Sequence, residues 1–523
     1  MNRILLVAAI AFAIVSAACG GNGTSSTPPP PTGNFSNASL KGSYAFSMSG
    51  QDGTTGAFIA RVGSFNADGN GNITAALEDV NVGGSFRQAL SFTGTYSIQS
   101  NGKGTLTLNG ALGGGLQLSI ALNSASQGVM TQTDLAATSS GSFSLQSTAG
   151  FSNPGIAGNY VFDVSGGAVS NGAPVSAIGQ AVTDGNGNVT GGVFDTNDGN
   201  STRPSGPQTL AASTYAVDTT NNGTTFGRGT INLAGLSFVF YIVDGTHLKM
   251  LEEDTNAVTL GDALKQSGIP ATTAAWNAGS FVFAIGGSAV LGTAGPVSRA
   301  GRFTTSGSGT LSTVVLDDND DGTVRSTGTT LSNTTYAIDA TAGIAGSGRG
   351  TLTFTDPSLG TFSFVFYLVS QTQAVMQDTS NGIIGDGTML AQASTISASS
   401  LAGNYVFNWS GVVRPSSGNV GFEEDFVGQY AQSSSASLSG AVDFVELGTT
   451  SNHPLFTNSA VSGSLSLVGN GNGSNNYQVT ITTSGVSPNT FNFKAYVAAG
   501  NVVFLVGADS NQIIAGNTSP QTQ

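Results

Sequence analysis

The chain has 523 residues and little charge, with 15 Lys or Arg and 29 Asp or Glu residues giving a net charge of −14. Nucleic-acid binding requires clustered Lys and Arg, so this balance argues against it. Only 2 His and 1 Cys are present, which leaves little material for histidine-based catalysis, thiol chemistry or soft-metal sites. The 29 Phe, 11 Tyr and 2 Trp residues can build hydrophobic cores and argue against wholesale disorder.

Residues 1–18 have the three-part form of an export signal. Arg3 supplies the positively charged start, and the apolar stretch Ile4–Val15 is too short for an ordinary membrane span. The small residues Ser16–Ala18 then precede Cys19, the only cysteine of the chain. This arrangement resembles the bacterial lipoprotein lipobox, in which the cysteine is lipidated and becomes the mature N-terminus.

The lipobox resemblance implies that Cys19 carries the lipid, palmitate included, and anchors the chain in a bacterial cell envelope, at the outer membrane or cell surface. Ser16 departs from the pattern, which favours an aliphatic residue three positions before the cysteine. The alternative is an ordinary secretory signal followed by an incidental free cysteine. Residues 19–34, with their run Pro28–Pro31, predict a Gly/Ser/Thr linker that contains a short polyproline II rod.

The rest of the chain repeats a motif in which an aromatic residue, any residue and Phe follow shortly after a glycine. The motif starts at Tyr44, Tyr160, Phe281 and Tyr405, at separations of 116, 121 and 124 residues. Self-similarity at a nearly fixed period indicates repeated structural units. The sequence therefore predicts four β repeats, the last of them the most divergent, at residues 35–149, 150–269, 270–395 and 396–523.

Within each unit the pattern predicts one strand after another. In the second unit, Val/Ile/Phe/Tyr/Thr-rich runs with period 2 predict strands near 158–165, 174–183, 188–196, 209–219, 226–234, 236–244, 247–254 and 260–266. Asp184–Gly187 and Asp244–Gly245 predict hairpin turns, because Asp-Gly and Asn-Gly accept the positive φ of tight turns. Outside the signal segment, no ten-residue stretch has a convincing helical period.

Eight consecutive strands joined by short turns predict an all-β fold of four tandem antiparallel meanders. Closing each meander into an eight-stranded up-and-down barrel removes aggregation-prone edges, and this architecture is similar to that of lipocalins and avidins. A β-propeller or β-sandwiches are the alternatives. Large apolar residues such as Phe162 hold alternate positions of the first strands, which predicts barrels filled by side chains in preference to barrels that enclose a ligand.

The one indication of a cofactor in the sequence is an acidic turn around Asp317, Asn319 and Asp321. Oxygen-bearing side chains at alternate positions, followed by a glycine, match the first half of a calcium-binding loop. Gly328 would hold the twelfth position in place of a bidentate Glu, and no helices flank the loop, which excludes an EF-hand. Shorter versions lie at Asp79–Asn81 and Asp195–Gly199. The hypothesis is a weak calcium site, and the alternative is a turn whose side chains bond the local backbone.

No set of catalytic residues is predicted. His247 and His453 hold unrelated places in units 2 and 4, and neither accompanies a recognisable nucleophile motif. The acidic runs Glu252–Asp254 and Glu423–Asp425 each place two carboxylates on one strand face, as glycoside cleavage would need, but units 1 and 3 have no counterpart. Solvated strand ends are the preferred interpretation of both runs.

The lipobox, the Gly-x-Tyr-x-Phe motif and the Asp-Gly-x-Gly turns give the chain a resemblance to Acidobacteria-type surface lipoproteins with tandem β repeats. The resemblance covers most of the chain and implies no particular activity. We expect a non-enzymatic, membrane-tethered surface lipoprotein with a structural, binding or adhesion role toward an extracellular glycan or protein partner. The alternatives are a carrier of a small apolar ligand in the barrel interiors and a glycan or peptide hydrolase.

Overall fold

The computed structural model describes residues 33–110, 115–199, 205–276, 279–291, 294–328, 330–394, 396–414, 422–447, 455–470, 474–483 and 490–522. The signal segment, Cys19 and most of the linker therefore lie outside the described residues. The described chain forms antiparallel strands in four successive units. This confirms the predicted all-β fold of four tandem units.

Unit 1 is a closed eight-stranded barrel whose neighbouring strands follow chain order. Its strands are β1 (Lys41–Asp52), β2 (Phe58–Asp68), β3 (Asn72–Val82), β4 (Ser85–Ile98), β5 (Lys103–Asn109), β6 (Leu116–Ser124), β7 (Gln127–Gln132) and β8 (Ala137–Leu145). In β1, Tyr44 lies opposite Phe65 of β2 on one side and Leu145 of β8 on the other. The first strand therefore closes the barrel against the last.

Unit 2 follows the same plan with one additional strand. Its strands are β9 (Gly158–Ala168), β10 (Pro174–Thr183), β11 (Asn188–Asp198), β12 (Ser205–Leu210), β13 (Ser213–Val217), β14 (Arg228–Leu233), β15 (Leu236–Asp244), β16 (His247–Glu252) and β17 (Ala257–Lys265). Pairing of β10 with β11, and of β9 with both β10 and β17, closes the sheet. The predicted strand at 209–219 was wrong as a continuous element, because this segment is divided between β12 and β13.

Units 3 and 4 differ in how they close. Unit 3 contains β18 (Ser280–Ala289), β19 (Gly295–Thr305), β20 (Leu311–Asp320), β21 (Thr323–Ser326), β22 (Ser332–Ile338), β23 (Arg349–Asp356), β24 (Gly360–Leu368), β25 (Gln373–Asp378) and β26 (Ile383–Ala391). Its two sheet edges approach each other at a bridge between Thr310 and Thr335.

Unit 4 is a closed barrel of β27 (Gly403–Val413), β28 (Phe422–Gln432), β29 (Ser437–Glu446), β30 (Leu455–Asn470), β31 (Ser474–Thr483), β32 (Thr490–Val497), β33 (Val503–Gly507) and β34 (Gln512–Pro520).

In the described ranges, helical structure is confined to short connections. Helix α1 (Asn221–Phe226) begins after Thr220, whose hydroxyl accepts a hydrogen bond from Asn222 N at 3.3 Å, and ends at Gly227 with φ of 69°. Six residues are too few to establish a helical period, which is why the sequence pattern does not reveal this helix. The 3₁₀ helices are Asn37–Ser39, Thr148–Gly150, Pro154–Ile156, Thr273–Ala275 and Ala499–Asn501. Within the described ranges, no helix has the length and apolar character needed to cross a bilayer.

The predicted hairpin turn at Asp184–Gly187 joins β10 and β11. The Asp184 carboxylate accepts hydrogen bonds from the backbone N–H of Asn186 at 2.7 Å and of Asn188 at 3.0 Å. Gly185 and Gly187 have φ of 79° and 96°, a region that favours glycine. Hydrogen bonds from Asn188 and Asn186 to the charged carboxylate lower the pKa of Asp184 to about 2.

Inward-facing side chains fill the interior of each barrel. Phe46, Phe162, Phe283 and Phe407, one from the first strand of each unit, are at most 4% exposed. Four separate clusters of buried apolar residues occupy the four units. These clusters confirm the packed interiors predicted from the alternation of the first strands.

The four units form a ring, in which each unit contacts the next and unit 4 returns to unit 1. Apolar side chains from both partners share a cluster at each contact: Val62 and Val239, Val161 and Val365, Val282 and Phe504, and Val427 and Ala121. Residues on the outer faces of the barrels are therefore buried by neighbouring units. Burial of this kind stabilises the ring by removing apolar surface from water.

A buried ion pair connects unit 1 to unit 2. Asp79 on β3 accepts hydrogen bonds from Arg228 Nε at 2.9 Å and Nη2 at 2.8 Å, and from the Tyr241 hydroxyl at 2.7 Å. Two residues further along β3, Asn81 Nδ2 donates to the backbone carbonyl of Glu252 at 3.1 Å. A two-pronged arginine–carboxylate contact fixes orientation as well as distance, so this pair sets how the two barrels pack.

The same contact recurs around the ring with substitutions. Its counterparts are Asp195 with Arg349 and Tyr367 between units 2 and 3, Asp317 with Tyr496 between units 3 and 4, and Asp443 with Lys103 between units 4 and 1. In the contact between units 4 and 1, Ala121 lies opposite Lys103 on the neighbouring strand, just as Tyr241 lies opposite Arg228 in unit 2. The contact that closes the ring therefore lacks both the arginine fork and the tyrosine hydroxyl.

A glutamine after the last strand of a unit reaches into the next unit. Gln146 Nε2 donates to the backbone carbonyls of Phe226 at 2.9 Å and Ile242 at 2.6 Å. Gln266 makes the same pair of bonds to carbonyls of unit 3. Gln521 donates to two carbonyls of unit 1, which are 420 and 399 residues away in the chain. The end of the described chain is thereby joined to its first barrel.

We predict that Phe162→Ala destabilises the protein by about 3–5 kcal/mol, because it leaves a cavity in the interior of unit 2. Urea unfolding of the purified chain, followed by tyrosine and tryptophan fluorescence and by circular dichroism, measures the loss. Leu291→Ala is the control, since Leu291 is 52% exposed and its truncation should change stability by less than about 0.5 kcal/mol. An unfolding curve of Phe162→Ala that matches the parent would contradict the inward orientation of this strand face.

We predict that Arg349→Met costs about 3–5 kcal/mol, because it leaves the Asp195 carboxylate buried without a countercharge. Adding Asp195→Asn should recover part of that loss, since the uncompensated charge is then removed. Denaturant unfolding of the single and double variants measures both effects. Arg87→Met is the matched control, because Arg87 is exposed on β4; equal stabilities of Arg349→Met and Arg87→Met would show that the buried pair does not hold units 2 and 3 together.

Candidate binding site

The centre of the ring is lined by the outward faces of the four first strands. Ser49, Ser165, Gly286 and Ser410 each lie five residues after the first aromatic residue of their repeat. Alternation along a strand turns these positions away from the barrel interior. A Cβ added to Gly286 would meet no atom within 4 Å. Small residues at this level therefore leave open space along the ring axis.

A cavity of about 530 Å³ lies where units 1, 2 and 4 meet. Uncharged hydroxyl and amide side chains make up most of its wall, among them Ser47, Asn123, Gln127, Ser142 and Asn517. We call it the hydroxyl cavity. Such groups donate and accept hydrogen bonds without carrying charge, so the wall suits a ligand that is polar and neutral.

A buried lysine supports one wall of the hydroxyl cavity. Lys249 Nζ donates to Ser47 Oγ at 3.0 Å and to Ser142 Oγ at 3.1 Å, and it lies 3.5 Å from Asp262 Oδ1. His247 Nε2 is 2.7 Å from the same Asp262 oxygen. Although burial acts in the opposite direction, Lys249 and His247 hold the pKa of Asp262 below its ordinary value. Because both serine hydroxyls accept from the ammonium, their own hydrogens are available to another acceptor.

A second cavity, of about 460 Å³, is lined by residues of all four units. They include Gln51 of unit 1, Ser165 of unit 2, Asp386 of unit 3 and Glu423 of unit 4. We call it the acid cavity. Ser410 lines both this cavity and the hydroxyl cavity, so the two adjoin at the centre of the ring.

Two carboxyl groups from different units are neighbours beside the acid cavity, and one of them, Asp386, lines it. Asp163 lies on β9 of unit 2 and Asp386 on β26 of unit 3. Burial, together with the neighbouring charge of Asp386, raises the pKa of Asp163 well above its ordinary value. Burial also raises the pKa of Asp386, while hydrogen bonds from Asp163, Ser165 and Ser176 act in the opposite direction. Both carboxyl groups therefore bind a proton more readily than a lone aspartate does.

A second pair of carboxyl groups comes from β28 of unit 4. The Thr138 hydroxyl of unit 1 donates to Glu423 Oε2 at 2.9 Å. Burial and the charge of Asp425 raise the pKa of Glu423 well above its ordinary value. Burial raises the pKa of Asp425 to about 7, although a hydrogen bond from Ser140 acts to lower it. The solvated strand end predicted for this run was wrong, because the strand end packs against unit 1 and Asp425 is fully buried.

The predicted calcium residues lie at the contact of units 3 and 4. Asp317 and Asn319 belong to strand β20, so the turn begins later than the sequence suggested. Asp317 accepts a hydrogen bond from the Tyr496 hydroxyl, and Asn319 Nδ2 donates to three backbone carbonyls of unit 4. Asp321 Oδ1 forms an ion pair with Arg414 Nε at 3.1 Å. Among the described residues there is no group of three or more His, Cys, Asp or Glu placed to hold a metal ion. Calcium binding at this turn stays a prediction.

The other sequence candidates do not converge on one site. His247 lines the hydroxyl cavity, whereas His453 and Cys19 lie outside the described residues. Glu252 is 2% exposed and accepts a hydrogen bond from the Thr259 hydroxyl at 2.7 Å, and burial raises its pKa to about 7. The predicted solvated strand end was therefore wrong here as well, because unit 1 covers it through Asn81.

Sequence reasoning missed Asp386, which lines the acid cavity, and three residues that lie beside the cavity walls: Asp163, Lys249 and Asp262. Each lies within a strand, where the alternating pattern identifies it only as outward-facing. A comparison of the repeats position by position carries the missing signal, because Asp163 stands where unit 1 has Ser47, three residues after the first aromatic residue of the motif.

No protein-family model and no curated protein matches the sequence. Among solved structures, isotype 1 transferrin binding protein B from serogroup B Neisseria meningitidis aligns over 76% of this chain and 82% of its own, at 9% identity and a TM-score of 0.19. A mutant of the vaccine antigen transferrin binding protein B from Haemophilus parasuis Hp5 aligns over 92% of this chain and 76% of its own, at 8% identity and a TM-score of 0.14. TM-scores this low establish no shared fold and assign no function to the chain.

Proposed function

We propose that this chain is a non-enzymatic binding protein of the bacterial cell envelope, tethered through Cys19, whose ring of barrels binds a neutral polyhydroxylated ligand such as a glycan. The hydroxyl cavity carries the proposal. Its wall offers hydroxyl and amide groups from units 1 and 4, and a saccharide presents complementary donors and acceptors. Its volume of about 530 Å³ lies within the usual range of about 300–1,000 Å³ for small-molecule sites.

The packing of the barrels favours this proposal over carriage of an apolar ligand. A carrier holds its ligand inside the barrel, yet each interior is occupied by a cluster of buried side chains. The hydroxyl and acid cavities lie between the units instead, and polar side chains contribute much of their walls. A polar ligand held between units matches this distribution.

A serine hydrolase is the second candidate, because Lys249 Nζ lies 3.0 Å from Ser47 Oγ. A lysine activates a serine only in its neutral form, whereas the Asp262 carboxylate lies 3.5 Å from this Nζ and supports an ion pair. Labelling with a fluorophosphonate probe separates the two functions. Labelling that is lost in Ser47→Ala supports the hydrolase, and no labelling of the native protein supports the binding function.

We predict that Cys19→Ser releases the protein from the membrane fraction, because the acyl chains that anchor a bacterial lipoprotein are attached to this cysteine. Fractionation of the producing bacterium, together with mass spectrometry of the mature N-terminus, measures the change. Ser16→Leu, which supplies the aliphatic residue of a lipobox, should stay with the membrane. Membrane retention of Cys19→Ser would contradict lipid anchoring and leave the binding proposal for the cavity unaffected.

We predict that Ser49→Leu weakens glycan binding by about tenfold or more, because a larger side chain at this exposed position fills the hydroxyl cavity. A glycan array would identify the best neutral oligosaccharide, and isothermal titration calorimetry would then compare the native protein with the variant. Ser434→Leu is the control, since Ser434 is exposed in a turn of unit 4.

Two results would contradict a glycan site in the hydroxyl cavity. One is the absence of binding to every neutral oligosaccharide at millimolar concentration. The other is equal affinity of the native protein, Ser49→Leu and Ser434→Leu for the best oligosaccharide, which would place the binding surface elsewhere.

A further inference from the structure

Two carboxyl groups, Asp386 and Glu423, line the acid cavity, and each has a second carboxyl group as a neighbour. Asp163 and Asp386 form one pair, and Glu423 and Asp425 form the other. In the described part of the chain, none of the four lies within ion-pair distance of a Lys, Arg or His. Buried carboxylates without a countercharge are costly, so such groups retain protons instead.

The titratable groups packed around the two pairs do not supply the missing positive charge. Asp262 on β17 adds a negative charge next to Asp163. Lys249 and His247 on β16 lie near this region, but both pair with Asp262. Strands β1, β8, β10 and β18 contribute uncharged residues to these surroundings, such as Gln51 and Ser140.

A buried hydroxyl without a partner points to a ligand in the same cavity. Ser298 on β19 is 1% exposed and lines the acid cavity, and its Oγ has no hydrogen-bond partner. Its position opposite Gly286 in the β18–β19 register turns it toward the ring axis. A buried hydroxyl left unsatisfied costs free energy, which a hydrogen bond from a ligand would recover.

We propose that the acid cavity binds a small organic diamine in its protonated form. Each ammonium group has three N–H donors, which match a carboxylate together with neighbouring hydroxyls such as that of Ser298. Two acid pairs from different units suit the two ends of a diamine. Apolar side chains in the wall, Val297, Val412 and Ile513, would contact the methylene groups between them.

The dimensions favour an organic cation over a bare metal ion. A volume of about 460 Å³ falls in the range of small-molecule sites, about 300–1,000 Å³. A divalent ion needs several oxygen ligands converging at about 2.0–2.6 Å, and the described residues contain no group of three or more acids, His or Cys placed in this way. The carboxyl groups are instead divided into two pairs.

Diamine binding at this site must release protons. An ammonium that approaches a protonated acid pair forms a carboxylate–ammonium contact, and the carboxyl proton leaves to solvent. The bound cation therefore lowers the pKa of the carboxyl it contacts, and binding tightens as pH rises. Over the range in which the free pair is protonated, the affinity should increase by about tenfold per pH unit for each proton released.

Isothermal titration calorimetry with putrescine on the full chain tests the proposal, at pH 6, 7 and 8 and in buffers of different ionisation enthalpy. We expect one putrescine per chain, tighter binding at higher pH, and an apparent enthalpy that varies with the buffer because protons are released. Butylamine, which has one ammonium group, should bind at least about tenfold more weakly. Calcium and magnesium ions should not displace putrescine.

Asp386→Asn and Glu423→Gln test the two acid pairs separately. Each should weaken putrescine binding by about tenfold or more and reduce the number of protons released. Asp244→Asn is the charge-matched control, since Asp244 is the last residue of β15 and lines neither axial cavity. Melting temperatures without ligand establish that each variant is folded, and the pH dependence of the native protein tests the proposal independently of them.

The outcomes that overturn the diamine site are specific. They are no putrescine binding at 10 millimolar, binding without proton release, unchanged affinity in both acid variants, or displacement of putrescine by calcium or magnesium. Any of these would leave the glycan proposal unaffected, because that proposal depends on the hydroxyl cavity and on Ser49.

Discussion

The ring depends on a carboxylate that each unit presents from its third strand to the next unit. Asp79 illustrates the constraint, because its charge is buried and its partners in the next unit are the guanidinium of Arg228 and the hydroxyl of Tyr241. Buried charges of this kind specify orientation more than they add stability. The apolar clusters at the same contacts supply most of the attraction, while the ion pairs determine the angle at which one barrel meets the next. The axial cavities exist only because four such contacts close a ring.

We call the recurring contacts between neighbouring units the frame of the ring. The frame is similar in the four repeats, whereas the residues near the ring axis differ from one repeat to another. The repeats retain the acid of the third strand and the glutamine after the last strand, and Gln146, Gln266 and Gln521 each donate to backbone carbonyls of the neighbouring unit. Near the axis, the residues three positions after the first aromatic residue have different partners: Ser47 accepts a hydrogen bond from Lys249 of unit 2, whereas Asn408 donates to two backbone carbonyls of unit 1. One unit has Ser47 there and the next has Asp163. The frame therefore repeats, and the cavities between the units do not.

The two cavities differ because positive charge is unequally distributed around the axis. Lys249 lies beside the hydroxyl cavity and pairs with Asp262, so the hydroxyl groups around it stay near a balanced ion pair. No described cation balances Asp163, Asp386, Glu423 or Asp425 at the acid cavity, and burial raises their pKa values. The carboxylate beside the first cavity is paired with a cation, whereas burial favours the protonated form of the carboxyl groups at the second. Only the second changes its charge when a cation enters.

The strands, their turns and the filled interiors follow from the sequence alone, since they depend on alternation of period 2 and on turn residues a few positions apart. The Asp184–Gly187 hairpin and the inward orientation of Phe162 are of this kind. The tertiary structure decided which outward-facing residues meet. Asp317 resembles part of a calcium loop in the sequence, yet in the fold it lies in a strand and bonds Tyr496, 179 residues away. A local pattern contains no information about a partner at that distance, because the partner is brought into contact only when the separate barrels pack into a ring.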